Sequence, residues 1–141
     1  MTTLIRIAAA LLLNEQRQLL LVRKRGTTAF MQPGGKVDVG ERPLDALIRE
    51  LSEELGLAVA AKDAIFLGHY RAPAANEPGC TVDCALYRVE LQPGDRAVAA
   101  AEIEEARWVS VSAAGELALA PLTREVVLPL AMPERPPLVD R

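Results

Sequence analysis

The chain has 141 residues, of which 50% are apolar and 25% charged, a size and composition typical of one globular domain with its own core. Its formal net charge of −3 provides no basic surface for a nucleic-acid polymer, so we expect no such partner. No stretch reaches the roughly 18 consecutive apolar residues of a membrane-spanning helix, and we expect no association with a membrane.

Two apolar runs open the chain, at residues 4–13 and 18–23, with a polar turn between them. Because the runs scarcely alternate with polar residues, they predict two paired strands with both faces largely buried. Arg6 followed by an apolar stretch is similar to the start of a signal peptide. No small-residue cleavage site follows, however, so paired strands are the better interpretation.

Three basic residues, Arg23, Lys24 and Arg25, close the second predicted strand. Successive strand residues face opposite ways, so Arg23 and Arg25 are expected on one side and Lys24 on the other. They are either solvated charges at a strand end or candidate phosphate-binding residues, since the loop that follows is glycine-rich.

That loop leads into a predicted helix. Pro43 suits the first helical turn, where its missing N–H would be unpaired anyway, and Gly56 suits the position just past the last turn. At about 100° per residue, one stripe of the helix is apolar. The residues of this stripe are Leu44, Leu47, Ile48, Leu51 and Leu55.

Glu50, Glu53 and Glu54 share a second arc beside that stripe. Like charges three and four residues apart destabilise a helix, and carboxylates are unfavourable near its negative C-terminal end. A bound cation would explain the cluster, and oxygen ligands favour Mg²⁺ or Mn²⁺ over zinc. The alternative is an ordinary solvated acidic face.

The loop and helix together carry a longer pattern. It consists of Gly35, Glu41, Arg49-Glu50-Leu51, Glu53-Glu54 and Gly56-Leu57. This pattern resembles the Nudix hydrolase signature, G-x5-E-x7-R-E-U-x-E-E-x-G-U with U a bulky aliphatic residue, and every specified position is filled.

The resemblance implies a small, single-domain, MutT-like member with an α/β fold, the Nudix α/β/α sandwich, in which a mixed sheet lies between helices. It also implies that Glu50, Glu53 and Glu54 hold Mg²⁺, with Mn²⁺ as a substitute and with help from the Gly35 carbonyl. We expect Glu41 and Arg49 to form an ion pair that fixes the loop onto the helix, and in the resembled family this pair is structural.

Beyond the signature, residues 64–70 and 80–90 are predicted strands, separated by a Pro/Gly-rich loop over 72–79 and followed by a turn at 92–95. Cys80 and Cys84 would lie on one strand face, too far apart for a disulfide. Two free thiols make a reducing cytoplasm the expected location.

A second acidic cluster, Glu102, Glu104 and Glu105, precedes Trp108, which we expect in the core. Many Nudix enzymes keep another metal ligand or a general base at a glutamate six residues before such a Trp-Val strand, and this resemblance indicates Glu102. The other two glutamates are close competitors, and a plain acidic loop is the further alternative.

In the C-terminal part, Ser112 can cap a short helical turn and Thr123 a helix running to about Leu130. Residues 1–132 are therefore expected to form the domain, with 133–141 as a flexible tail.

By resemblance, the reaction is hydrolysis of a nucleoside diphosphate linked to a group X, with Glu50, Glu53, Glu54 and Glu102 as the catalytic set and Glu50 or Glu102 as general base. The favoured substrates are nucleoside triphosphates, oxidised ones included, cleaved to monophosphate and pyrophosphate.

ADP-ribose or a nucleotide sugar is the alternative substrate, since Pro73 follows Leu57 by sixteen residues, as in ADP-ribose-cleaving members. A non-catalytic nucleotide sensor is the third. The small-molecule nucleotide would be bound by a monomer or a homodimer.

Overall fold

The computed structural model describes residues 3–132 and shows one mixed sheet with helices on both sides. The predicted tail at 133–141 lies outside these residues. The strands are β1 Thr3–Leu13, β2 Leu19–Lys24, β3 Gly34–Lys36, β4 Ala64–Pro73, β5 Cys80–Glu90 and β6 Ile103–Val109. The helices are α1 Pro43–Leu55, α2 Val111–Ala114 and α3 Leu128–Ala131, with a π-helical turn at Thr123–Val127 directly before α3.

The strand order is β4-β5-β1-β2-β6, with β3 paired to β1. β1 and β5 run parallel along their whole length, and the other pairs are antiparallel. The predicted pairing of the first two strands is limited to the hairpin end, where Leu13 faces Leu19. The long partner of β1 is β5, so the sheet centre is built from segments far apart in the chain.

The alternation of β1 accounts for the two sides of the sheet, because successive strand residues point to opposite faces. Ala8, Ala10 and Leu12 pack in one core cluster with Leu47 and Leu51 of α1. On the other face, a second cluster joins the sheet to the C-terminal helical segment; its members include Ala9, Leu11, Leu13, Leu122 and Val127. This arrangement is the expected α/β/α sandwich; of the apolar stripe of α1, Leu47, Leu51 and Leu55 are buried, whereas Leu44 and Ile48 are only partly buried.

The limits of α1 agree with the sequence. Pro43 occupies its first turn and Gly56 follows it in the left-handed conformation, with φ of 67°. The Gly56 N–H donates to the carbonyl groups of Leu51 and Ser52, which satisfies acceptors at the helix end.

Three predictions for local elements were wrong. β4 continues to Pro73, because its pairing with β5 extends to Thr81. Ser110, rather than Ser112, caps α2 by accepting from the Ala113 N–H. Thr123 is not a cap, since helical structure begins at residues 121–122 and the Thr123 hydroxyl is used in a tertiary contact with Gln32.

No helix among residues 3–132 is long and apolar enough to cross a bilayer. Cys80 and Cys84 are both free thiols, and Cys84 is fully buried in β5.

Candidate active site

The glycine pair at β3 lets the loop lie directly between the sheet and α1. A Cβ atom on Gly34 would lie 2.2 Å from the Ala8 carbonyl oxygen, and one on Gly35 would lie 2.3 Å from the Glu50 carboxyl carbon. Both distances are far below van der Waals contact. Gly34 also has φ of 146°, which side chains other than glycine rarely adopt. The two glycines therefore allow backbone to touch the carboxylates of the helix.

Glu54 is the unusual carboxylate of the site. It is 2% exposed, and its Oε1 accepts a long hydrogen bond of 3.4 Å from the Gly34 N–H. Its Oε2 is fully buried and, within residues 3–132, has no hydrogen-bond partner. Burial, together with the nearby carboxylates Glu50 and Glu102, raises the pKa of Glu54 to about 8. Ionised Glu54 thus lacks a partner for one oxygen, which destabilises the fold unless a cation or a proton is present.

Glu50 and Glu53 share one arginine instead. Arg49 Nη1 donates to Glu50 Oε1 at 2.7 Å and lies 3.6 Å from Glu53 Oε2. The side chain of Glu50 is 14% exposed and that of Glu53 is 57% exposed. Within residues 3–132, no three Asp, Glu, His or Cys side chains are close enough together to hold a metal ion as they stand.

The donor set nevertheless suits a hard cation. Carboxylate oxygens are the ligands that Mg²⁺ and Mn²⁺ prefer, and the buried, unpartnered Oε2 of Glu54 is available to such an ion. The missing side chain at Gly35 lets the Glu50 carboxylate lie directly against the backbone there. A metal at Glu50 and Glu54, joined by Glu53 through a rotamer change, is compatible with this geometry.

The ion pair predicted between Glu41 and Arg49 is present. The guanidinium donates to both carboxylate oxygens, at 2.9 and 3.0 Å, and also to the Lys36 carbonyl at 3.1 Å. Arg49 lowers the pKa of Glu41 to about 2, and the carboxylates in turn raise the pKa of Arg49. Arg49 therefore ties the signature loop to the helix and touches the acidic cluster at the same time.

The expected sidedness of the three basic residues was wrong. Lys24 and Arg25 both line one cavity, whereas Arg23 lies outside it, donating to the Thr27 carbonyl at 2.8 Å and pairing with Glu105 at 3.5 Å. The register against β6 shifts between Arg23 and Lys24, and Arg25 lies beyond the strand end. Strict alternation therefore does not apply at these positions.

Glu102 is distinguished from its two competitors by position. It lines the same cavity, its Oε1 lies 3.6 Å from Lys24 Nζ, and its carbonyl accepts from the Arg25 N–H at 2.9 Å. Glu104 does not line the cavity and pairs with Arg25, and Glu105 pairs with Arg107 and Arg23.

The cavity has a volume of about 250 Å³, slightly below the roughly 300–1,000 Å³ usual for ligand pockets. Gly34 and Gly35 form part of its wall, so Glu50, Glu53 and Glu54 lie behind the glycines and do not line it. The apolar lining on the sheet is Ile5, Ile7, Ala9 and Val82.

Sequence reasoning missed several polar residues of the cavity. They are Thr27, Gln32, Lys36, Asn76 and Glu77. Gln32 carried a signal, since it immediately precedes the Pro-Gly-Gly turn. Asn76 and Glu77 carried none, because the loop after β4 has no periodicity and no motif; Lys36 and Glu77 form an ion pair of 3.6 Å at this loop.

Comparisons with known proteins agree with this arrangement. The family model described as the NUDIX domain matches residues 3–130. A Bacillus subtilis (strain 168) protein, provisionally described as an 8-oxo-dGTP diphosphatase, is 31% identical over 103 residues, which are 73% of this chain and 64% of that protein. An RNA pyrophosphohydrolase of Francisella tularensis subsp. mediasiatica (strain FSC147) is 47% identical over 49 residues, 35% of this chain and 32% of that enzyme.

The matches thus span less than two thirds of the length of these relatives. Among solved structures, a MutT protein from Methanosarcina mazei Go1 has the same fold, with a TM-score of 0.75, 22% identity, and coverage of 92% of this chain and 94% of that one.

Proposed function

We propose that this chain, which belongs to the Nudix hydrolase family, hydrolyses nucleoside triphosphates, oxidised ones included, to a nucleoside monophosphate and pyrophosphate. The observation that carries the proposal is the buried Glu54 carboxylate, whose Oε2 has no partner beside Glu50 and the glycine turn. A fold that maintains such a group loses stability unless the group binds something. A hard cation is the ligand that matches its chemistry.

Members of this family generally use divalent metals, and we propose Mg²⁺ here, with Mn²⁺ as substitute. Glu50, Glu53 and Glu54 would hold it together with the Gly35 carbonyl. When bound, such an ion neutralises charge on the phosphate oxygens and activates water.

The remaining roles fall to residues around the cavity. Lys24 and Arg25 line the cavity and would contact the phosphates. Arg23 does not line it and donates to the Thr27 carbonyl instead, so its position does not support a phosphate-binding role. Glu102 or Glu50 would accept the proton of the attacking water, since a base must lie within hydrogen-bond reach of that water. Glu41 and Arg49 would hold the signature loop against α1.

The proposed substrate preference is supported by the activity named for a relative and by the size of the cavity. The Bacillus protein's description favours oxidised deoxyguanosine triphosphate, and a cavity of about 250 Å³ suits one base better than a dinucleotide. Two alternatives have specific support. The RNA pyrophosphohydrolase relative favours a triphosphorylated RNA 5′ end, and Pro73, which lines the cavity, is the residue whose spacing resembles ADP-ribose-cleaving members.

One assay separates these possibilities. The products formed with Mg²⁺ are separated and quantified for dNTPs, 8-oxo-dGTP, ADP-ribose, dinucleoside polyphosphates and 5′-triphosphorylated RNA, since cleavage of ADP-ribose between its phosphates gives AMP and ribose 5-phosphate and no free pyrophosphate. The proposal expects the highest kcat/KM for a nucleoside triphosphate, with the monophosphate as product. Binding without turnover of any of these compounds would instead support a non-catalytic nucleotide sensor.

A further inference from the structure

One buried polar contact in the cavity wall is not explained by the metal site. The Thr123 hydroxyl donates to Gln32 Oε1 at 2.7 Å, between residues 91 positions apart in the chain. Thr123 is fully buried and Gln32 is 7% exposed. Buried polar side chains destabilise a fold unless their hydrogen bonds are made, and this contact turns Gln32 Oε1 toward Thr123.

That orientation leaves the amide nitrogen available. Among residues 3–132, Gln32 Nε2 makes no side-chain hydrogen bond, and the fully buried polar atoms without partners are Glu54 Oε2 and Arg88 Nε. Gln32 Nε2 also has no partner in this part of the chain but is not one of these fully buried atoms, so part of its surface is accessible. Because Gln32 lines the cavity, this surface is offered to a ligand there.

The backbone around Thr123 supports a dedicated contact. Thr123 begins a π-helical turn that ends at Val127, and such wider turns occur mostly as single turns at functional positions. Leu122, the residue before it, also lines the cavity.

The chemistry of the exposed group identifies the ligand. With Oε1 turned to the Thr123 hydroxyl, the atom that Gln32 presents to a ligand is its amide nitrogen, which donates, so the partner must accept. Guanine presents O6 as an acceptor and thymine presents O4, whereas adenine and cytosine present an amino donor at the corresponding position; N7 is an acceptor in both purines and does not discriminate between them. A donor facing another donor leaves a buried group unpaired, which lowers affinity.

We propose that Gln32 reads the nucleobase and selects bases with an exocyclic oxo group, 6-oxopurines or 4-oxopyrimidines, over their amino counterparts. Thr123 is the positioning residue that keeps the amide nitrogen directed to the base. This proposal depends on the proposed function in one respect: both require that the ligand is a nucleotide.

Binding of matched monophosphates tests the proposal without catalysis. IMP and AMP differ in the oxo and amino groups of the purine, and UMP and CMP differ in the same way in the pyrimidine. Titration calorimetry or ligand-observed NMR, without and with Mg²⁺, should give about tenfold tighter binding of the oxo member of each pair. Equal affinities within both pairs, or no binding of any of the four, would overturn it.

Two kinds of variant locate the effect. Gln32→Met keeps the length of the side chain and removes the donor, so the IMP/AMP affinity ratio should fall to about one. Thr123→Val removes the hydroxyl and lets the amide turn over, so AMP binding should improve and the ratio should fall as well. Thr123→Ser restores the hydroxyl and should restore the ratio, which loss of packing alone would not produce.

Melting temperatures of all variants identify those that fail to fold, and the comparison of Thr123→Val with Thr123→Ser remains decisive if Gln32→Met does not fold. An unchanged ratio in Thr123→Val would refute the positioning role. Retained IMP preference in a protein that hydrolyses no nucleotide would refute the proposed function alone, and active hydrolysis with equal IMP and AMP affinities would refute base selection alone.

Discussion

Two acidic clusters of similar composition have opposite surroundings in this molecule. Glu102, Glu104 and Glu105 lie at the start of β6, and each has a cation from the end of β2: Lys24 at 3.6 Å, Arg25 at 3.1 Å and Arg23 at 3.5 Å. Glu50 and Glu53 on α1 share the single Arg49, and Glu54 has only a long backbone hydrogen bond.

The difference shows that the number of carboxylates does not identify a metal site. What matters is whether the fold supplies a compensating charge. The antiparallel pairing of β2 with β6 supplies basic partners along the strand ends, whereas α1 faces the glycine turn, and Glu54 Oε2 has no hydrogen-bond partner among residues 3–132. Glu102 is intermediate, because it has Lys24 as partner and also contributes to the raised pKa of Glu54.

The largest effect is expected for Glu54→Gln. The neutral amide cannot act as an anionic ligand, so turnover should fall by orders of magnitude and the rise in melting temperature at millimolar Mg²⁺ should disappear, since that rise reflects binding to the folded state. Steady-state kinetics and thermal denaturation measure both. Wild-type-like rates together with a normal Mg²⁺ shift would remove Glu54 from the site.

Glu102→Gln distinguishes the intermediate residue from its neighbours. If Glu102 is the general base, kcat should fall by about 100-fold while the melting temperature stays close to that of the wild type. Glu104→Gln is the matched control, because it removes a carboxylate two residues away that does not line the cavity. Unchanged rates of Glu102→Gln with every substrate would leave Glu50 as the base.

Without metal, the free energy of unfolding should depend on pH because of the ionisation of Glu54. The folded pKa of about 8 exceeds the ordinary value of 4.5, so the folded state binds the extra proton between these values. The contribution of protonated Glu54 to the free energy of unfolding is therefore fully present below pH 4.5 and is lost as the pH rises to about 8. Denaturant titrations in EDTA should show this decline for the wild type and a weaker decline for Glu54→Gln.

The opposite sign is expected for Glu41. Arg49 lowers its pKa from 4.5 to about 2, so its contribution is present above pH 4.5 and is lost as the pH falls toward 2. Glu41→Gln should melt at a lower temperature near neutral pH and show less additional loss in acid. Parallel acid titrations of the two proteins would contradict the pairing.

The smallest effect is expected for Glu104→Gln, which breaks an exposed pair with Arg25. Exposed ion pairs contribute little because both partners are well solvated. Melting temperature and kcat/KM should both remain within experimental error. A loss comparable to that of Glu102→Gln would mean that the second cluster acts as a unit.

Much of the site could be predicted because its information is local. Gly34, Gly35, Pro43 and Gly56 determine where the loop turns and where α1 begins and ends, since each suits a backbone geometry within a few residues. The spacing of Glu41 and Arg49 across the helix start similarly made their ion pair predictable. The limits of β5, Cys80–Glu90, match the predicted strand over residues 80–90.

The predictions that were wrong concern contacts or register. Three basic residues were assigned to faces by simple alternation, and a register shift against β6 changed the result. Thr123 was assigned to a helix cap from its type, but its hydroxyl bonds to Gln32. The residue types of β2 do not reveal its register against β6, and the type of Thr123 does not reveal that its hydroxyl bonds to Gln32.

The sequence by itself determined the signature loop, its helix and the family to which the chain belongs, because these depend on residue types a few positions apart. Only the tertiary structure decided which carboxylates are paired, which basic residues line the cavity and how the Gln32 amide is oriented. Those features join segments separated by 79 and 91 residues, and they depend on the order and register in which the strands of the sheet assemble.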